Sequence, residues 1–130
     1  EGETRLGDYY DRYDGENALS DQHVGRVLEA LVSSPHKSTT LVVFTSDHGE
    51  MLGEHDEVTH GFFIYEAAVR IPLIIAGPGV PAATIDRQVR IVDVLPTLLA
   101  RFGLTPPAAT QGVDLMPLQL AQHLVDLIQV

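Results

Sequence analysis

The apolar positions of the chain fall into short patterns that are separated by polar and glycine-rich stretches. Between residues 18 and 32, apolar side chains recur near the 3.6-residue spacing of one helical face: Ala18, Val24, Val27, Leu28, Leu31 and Val32. Asp14 and the three residues after it offer turn and N-cap chemistry, and Ser34 before Pro35 disfavours helical geometry. We therefore predict an irregular lead-in over residues 1–12, followed by a helix that stops at residues 33–35.

Two apolar runs without alternation predict strands. The segment 39–45 (TTLVVFT) is β-branched and aromatic, and the segment 73–76 (LIIA) is wholly apolar. Such runs are typical of strands that are covered on both faces of a parallel sheet. Residues 88–92 predict a third, shorter strand.

Three further segments predict helices. Residues 62–69 predict a short one, and residues 94–102 predict another, with Asp93 as its N-cap and Gly103 as the glycine that ends it. Residues 118–128 predict a last amphipathic helix. The order of helices and strands indicates an α/β fold with a mostly parallel sheet.

Composition narrows the classes of protein that remain. A length of 130 residues fits one domain by size alone. The 18 acidic and 8 basic residues give a net charge of −10, which excludes nucleic acid as an expected partner because such binding depends on clustered Lys and Arg. The chain has no cysteine, so it contains no disulfide, thiolate zinc site or cysteine nucleophile. No apolar run reaches the ~18 residues that a membrane span needs.

Polar chemistry is densest directly after the first predicted strand. Residues 46–61 contain three of the six histidines and five acidic side chains. Asp47 and His48 follow the strand end, which is where open α/β sheets bind ligands. Their oxygen and nitrogen atoms suit a divalent cation. A turn in which Asp47 caps backbone amides explains the same pair equally well.

The longer pattern is more specific. The ordered segments are TSDHGE (45–50), GEH (53–55), HG (60–61), YE (65–66), RIPLII (70–75) and GPG (77–79). Together with DxxVG (21–25), VDVLPTLL (92–99) and GVDL (112–115), this series resembles the sulfatase family of the alkaline-phosphatase-like superfamily over about residues 13–118. The resemblance implies an α/β/α sandwich with a mostly parallel sheet.

The resemblance also implies site residues. Asp47 and His48 become two ligands of the active-site cation, most commonly Ca²⁺ in this family, with Mg²⁺ or Mn²⁺ as alternatives. His60 stands where many members have a lysine that contacts the sulfate group. Two roles stay open for His60: a general acid at the departing oxygen, or a side chain that only orders the turn at Gly61.

Other polar residues of the segment receive lesser roles. His55 is expected to orient Asp47, His48 or their loop. Glu54 and Glu50 either help in this or are solvated, and for Glu50 we favour the solvated position.

The nucleophile of the family is not found in the chain. Sulfatases form it as formylglycine from a Cys/Ser-x-Pro/Ala-x-Arg motif upstream of these segments. We therefore expect the 130 residues to be the C-terminal part of a catalytic core whose N-terminal half lies upstream, and to be inactive alone. The implied activity is hydrolysis of a sulfate ester of a small molecule or carbohydrate.

Two alternatives remain open. The first is a phosphodiesterase or phosphonate monoester hydrolase of the same superfamily. The second is a non-catalytic, truncated module. The sequence leaves the compartment open, although many family members are exported to the periplasm or secreted.

Overall fold

The chain divides into two compact units, Glu1–Pro78 and Gly79–Val130. A computed structural model describes residues 6–117 of it. The helix predicted over residues 118–128 therefore lies outside the described residues.

The first unit opens with a long helix, α1, at Leu6–Val32. Its end before Ser34 and Pro35 confirms the predicted stop. Its start corrects the prediction, because Asp14 and Gly15 lie inside the helix and residues 6–12 of the predicted lead-in are helical. A glycine within a helix costs only about 1 kcal/mol relative to alanine, and each residue added to an existing helix contributes a backbone hydrogen bond.

Two strands, β1 at Val42–Thr45 and β2 at Leu73–Ala76, form the sheet of the described residues. They pair antiparallel, with Val42 opposite Ala76 and Thr45 opposite Leu73. The prediction of a mostly parallel sheet is wrong for these two strands. A parallel pair needs a crossover, usually a long helix, whereas the segment between β1 and β2 contains only short helical turns.

The connection between the strands contains a second helix, α2, at Glu66–Val69. It is shorter than the predicted 62–69, because Phe62, Phe63 and Ile64 are exposed and no apolar face selects helix there. Ala68 of α2 and Met51 of the preceding loop are buried and form the core of this unit.

The second unit contains a 3₁₀ turn at Ile91–Asp93 and a helix, α3, at Val94–Arg101. The 3₁₀ turn replaces the third strand that the sequence predicts at residues 88–92. Helix α3 confirms the predicted helix to within one residue, and Gly103 follows it in the left-handed conformation (φ 69°) as expected. Pro96, Thr97 and Leu115 are buried in this unit.

Candidate active site

The loop between β1 and α2, residues 46–65, carries every candidate site residue that the sequence predicts. Gly49 holds it against α2: its N–H donates to the Ala68 carbonyl over 2.8 Å. A Cβ at Gly49 would collide with the carbonyl oxygen of Ala67. The absence of a side chain at position 49 therefore lets the loop approach α2 closely.

Asp47 and His48 lie side by side at the start of this loop. Asp47 Oδ1 accepts the His48 backbone N–H at 3.0 Å and the Ser46 hydroxyl at 3.4 Å. The backbone N–H groups of Asp47 and His48, and then the His48 ring, lower the pKa of the Asp47 carboxyl below its usual value. Asp47 therefore caps a backbone N–H through Oδ1, which is one of the two interpretations of the sequence. Its Oδ2 takes no part in that cap and stays open to the other interpretation, a cation ligand.

The remaining donor atoms of this pair suit a cation. His48 Nδ1 donates to the Gly49 carbonyl over 2.9 Å, which leaves Nε2 with a free lone pair. Nε2 lies 3.8 Å from Asp47 Oδ2, and both side chains are substantially exposed. These two atoms are the ones that would hold a cation, because a ligating His commonly donates its other ring N–H to a carbonyl. Within residues 6–117 no cluster of three or more potential ligands is present, so the described residues offer two donors.

His60 lies against His48. The two ring centroids are 3.9 Å apart, with the rings tilted by 30°. Although the two residues are twelve positions apart in the sequence, the loop brings His60 to the Asp47–His48 pair.

Glu50 contacts His60 directly, a partnership that the sequence did not reveal. Glu50 Oε2 lies 3.0 Å from His60 Nδ1, and the Glu50 side chain is 21% exposed. Burial acts to raise the pKa of Glu50, but hydrogen bonds from His60 and from the Met51 N–H outweigh it and lower that pKa. Glu50 is therefore not solvated, and our expectation for it is wrong. The spacing of ten residues follows no regular secondary structure, so no sequence pattern signals this pair.

His55 and Glu54 stay within their own part of the loop. The His55 ring stacks on Tyr65 at 4.0 Å, and its backbone is left-handed (φ 57°). Glu54 Oε2 accepts the Leu52 N–H at 2.7 Å. Among the described residues neither side chain hydrogen-bonds Asp47 or His48, so any support they give to that pair acts through the shape of the loop.

Asp93 in the second unit is a buried structural carboxylate. Its Oδ1 accepts the Val113 N–H at 2.9 Å and its Oδ2 the Arg90 N–H at 2.8 Å. The sequence correctly predicts a capping residue, but the carboxylate caps the 3₁₀ turn and makes no cap hydrogen bond to α3. The Arg90 guanidinium, 3.2 Å from Oδ1, balances its charge.

A cavity of about 280 Å³ lies beside Asp93. Its lining consists of residues 87–90, 93 and 113–115, of which Arg87, Arg90, Asp93 and Asp114 carry charge. No histidine and no hydroxyl side chain lines it, so the candidate chemistry stays with the loop after β1.

Known proteins match this chain at the level of sequence. The sequence model of the Sulfatase family matches residues 1–104. The uncharacterized sulfatase YidJ of Escherichia coli is 36% identical over 100 residues, covering 77% of this chain and 20% of that protein. Arylsulfatase K of Xenopus laevis is 39% identical over 102 residues, covering 78% of this chain and 19% of that protein.

Solved structures match as well. A phosphonate monoester hydrolase from Silicibacter pomeroyi superposes with a TM-score of 0.71 at 36% identity, over 78% of this chain and 20% of that one. A protein solved with its substrate D-glucosamine-2-N,6-O-disulfate superposes with a TM-score of 0.63 at 31% identity, over 78% of this chain and 21% of that one.

These matches define an alkaline-phosphatase-like hydrolase class, which uses divalent cations. Within that class, this chain belongs to the sulfatase family. It spans about a fifth of the length of the curated relatives it matches. None of the described helices is long and apolar enough to cross a membrane.

Proposed function

We propose that this chain is part of a sulfatase that hydrolyses a sulfate ester with a bound divalent cation. One observation carries the proposal: Asp47 Oδ2 and His48 Nε2 face each other beyond the end of β1, with His60 packed on His48. Membership of the sulfatase family supplies the reaction class.

Asp47 and His48 hold the cation in this proposal. When bound, the cation supplies positive charge against the sulfate oxygens. Ca²⁺ is the ion that we propose, because a carboxylate at an exposed loop suits it, with Mg²⁺ and Mn²⁺ as alternatives. Because Ca²⁺ takes 6–8 ligands, further donors come from outside the described residues.

His60 is the proposed catalytic group of this chain. It donates a proton or hydrogen bond to the oxygen that leaves as the ester bond breaks. His55 and Glu54 are proposed to keep the loop in shape for this. The nucleophile, formylglycine in the proposal, is not among these residues, since the chain has no Cys/Ser-x-Pro/Ala-x-Arg motif.

The substrate that we propose is a sulfated carbohydrate. The support is a solved neighbour at 31% identity that binds D-glucosamine-2-N,6-O-disulfate as its substrate. A phosphonate monoester hydrolase is the second candidate, because the neighbour from Silicibacter pomeroyi has a TM-score of 0.71.

The test is an assay of the protein made from the complete reading frame, with an aryl sulfate and an aryl phosphonate monoester as competing substrates. We expect sulfate ester hydrolysis to dominate. Asp47→Ala and His48→Ala should each lower kcat/KM by about a thousandfold, because charge stabilisation by a metal ion is worth several kcal/mol. His23→Ala, an exposed histidine of α1, is the matched control and should leave the rate unchanged.

His60 is tested in the same assay. His60→Ala should lower kcat by about 10²–10⁴-fold, the usual contribution of a general acid. His60→Lys should retain more activity than His60→Ala, because the ammonium group can still donate to the leaving oxygen. A preference for the phosphonate ester would replace the first candidate with the second, and full activity of Asp47→Ala would refute the metal role.

A further inference from the structure

Glu50 is anchored more firmly than a loop carboxylate on the surface. Its Oε1 accepts the backbone N–H of Met51 at 3.2 Å, and Met51 is only 1% exposed. The other carboxylate oxygen, Oε2, is the one that meets His60. The core at Met51 thus fixes the position from which Glu50 contacts the histidine.

The contact determines which ring nitrogen of His60 is free. An ionised carboxylate can only accept hydrogen bonds, so His60 Nδ1 must carry the proton in this pair. The other nitrogen, Nε2, is then the only one that can reach another molecule. The His48 ring covers one face of His60 and restricts its rotation.

We propose that Glu50 is a positioning residue for His60: the Glu50 Oε2–His60 Nδ1 hydrogen bond holds the ring so that Nε2, which carries the second proton when the ring is an imidazolium and acts as the acid, faces the substrate. The proposal rests on the proposed function of His60. Glu50 itself touches no substrate and acts only through the histidine, as carboxylates often do when they orient an imidazole.

The tautomer of His60 tests the first part directly. In the protein from the complete reading frame, with ¹⁵N-labelled histidine, the ring nitrogen shifts are measured at about pH 8.5, where an ordinary histidine ring carries a single proton. We expect a protonated Nδ1 and a bare Nε2 at His60. Glu50→Ala should shift His60 toward the Nε2–H form that a free imidazole favours.

A matched control separates this effect from a general disturbance of the loop. Glu57 lies in the same loop and its side chain makes no hydrogen bond to another described residue, so Glu57→Ala should leave the His60 nitrogen shifts unchanged. The amide shifts of Val42–Thr45 report whether each variant keeps its strand pairing. An Nε2–H form at His60 in the unaltered chain, or the same tautomer in Glu50→Ala, would overturn the proposal.

Kinetics of the complete protein test the second part. Glu50→Ala should lower kcat about tenfold with KM nearly unchanged, and Glu50→Gln should recover part of that loss because its amide oxygen can still accept from Nδ1–H. In a His60→Ala background, Glu50→Ala should have no further effect, since residues that act as one unit are not additive.

The two measurements distinguish a failure of this proposal from a failure of the proposed function. A Glu50→Ala loss that persists in the His60→Ala background would show a merely structural role and overturn the proposal. If the complete protein hydrolyses no sulfate ester, the proposed function fails, while the tautomer measurement still decides whether Glu50 sets the state of His60.

Discussion

Buried or half-buried carboxylates carry the most specific contacts of individual residues in this chain. Glu50 joins Met51 to His60, and Asp93 joins Arg90 to Val113. Both satisfy backbone N–H groups that would otherwise lie unpaired in a poorly hydrated place, which costs about 1–3 kcal/mol per group. Glu50 belongs to the candidate site, whereas Asp93 holds the loop at Val113 against the turn that precedes α3.

Asp93 makes stability depend on pH. Its side chain is 3% exposed; burial raises its pKa, but the Val113 and Arg90 hydrogen bonds outweigh burial and lower it. A pKa below the unfolded value of about 3.9 means that the contribution to stability is complete above about pH 4 and is lost as pH falls through the folded pKa. We therefore expect unfolding free energy, measured by urea titration, to drop below about pH 4.

Asp93→Asn tests this source of the pH dependence. The variant should be about 1–3 kcal/mol less stable at neutral pH, because an amide group cannot accept all the hydrogen bonds of the carboxylate. Its unfolding free energy should also decrease less at acid pH than that of the unaltered chain. Asp86→Asn is the control, since Asp86 is exposed and its side chain has no hydrogen bond within residues 6–117. An acid profile of Asp93→Asn identical to that of the unaltered chain would contradict the assignment.

At the scale of elements, α1 shows how weak local signals yield to helix continuity. The residues Asp14 and Gly15 predict a turn, yet they lie within Leu6–Val32. Asp and Gly favour a turn only locally, and a helix can continue through them at a small cost in free energy. Strand β2 is the opposite case, because the apolar pattern of residues 73–76 alone predicts its position correctly.

Gly15→Ala tests the helical state at this position. A Cβ there meets nothing within 4 Å, so alanine introduces no clash. We expect higher helix content by circular dichroism and about 0.5–1 kcal/mol more helix stability, because alanine loses less backbone entropy than glycine. Gly103→Ala serves as the contrast: its left-handed backbone (φ 69°) should make the same change destabilising. Unchanged or reduced helicity in Gly15→Ala would contradict the helix at this position and support the predicted turn.

At the scale of the whole molecule, many large apolar side chains of the described residues are exposed. Large hydrophobic residues with more than half of their surface exposed include Val27, Val32, Phe62, Phe63, Ile64 and Phe102. Exposed apolar patches commonly mark surfaces that contact another part of a protein or a partner. This agrees with the short span of the chain, about a fifth of its relatives.

The isolated 130 residues should not hydrolyse sulfate esters, because their described part offers only the two proposed cation ligands, Asp47 and His48, and the chain has no cysteine for the nucleophile. Calorimetry should find Ca²⁺ binding weaker than about 1 mM, since even complete but low-affinity Ca²⁺ sites lie at 10⁻⁴–10⁻³ M. The protein from the complete reading frame is the control for both measurements. Turnover by the isolated chain, or tight one-to-one Ca²⁺ binding, would disprove this prediction.

The sequence by itself determined the family, the end of α1, the second strand, helix α3 and the position of Asp47 and His48 after a strand. The helix end, the strand, helix α3 and the Asp47–His48 position depend on patterns within a few neighbouring residues, and the family depends on the order of such short motifs along the chain. Only the tertiary structure decided the antiparallel pairing of β1 with β2, the Glu50–His60 contact and the Asp93–Val113 link. These join residues ten or more positions apart, and their partners are selected by how the backbone folds back and which groups lose water there, which no local pattern encodes.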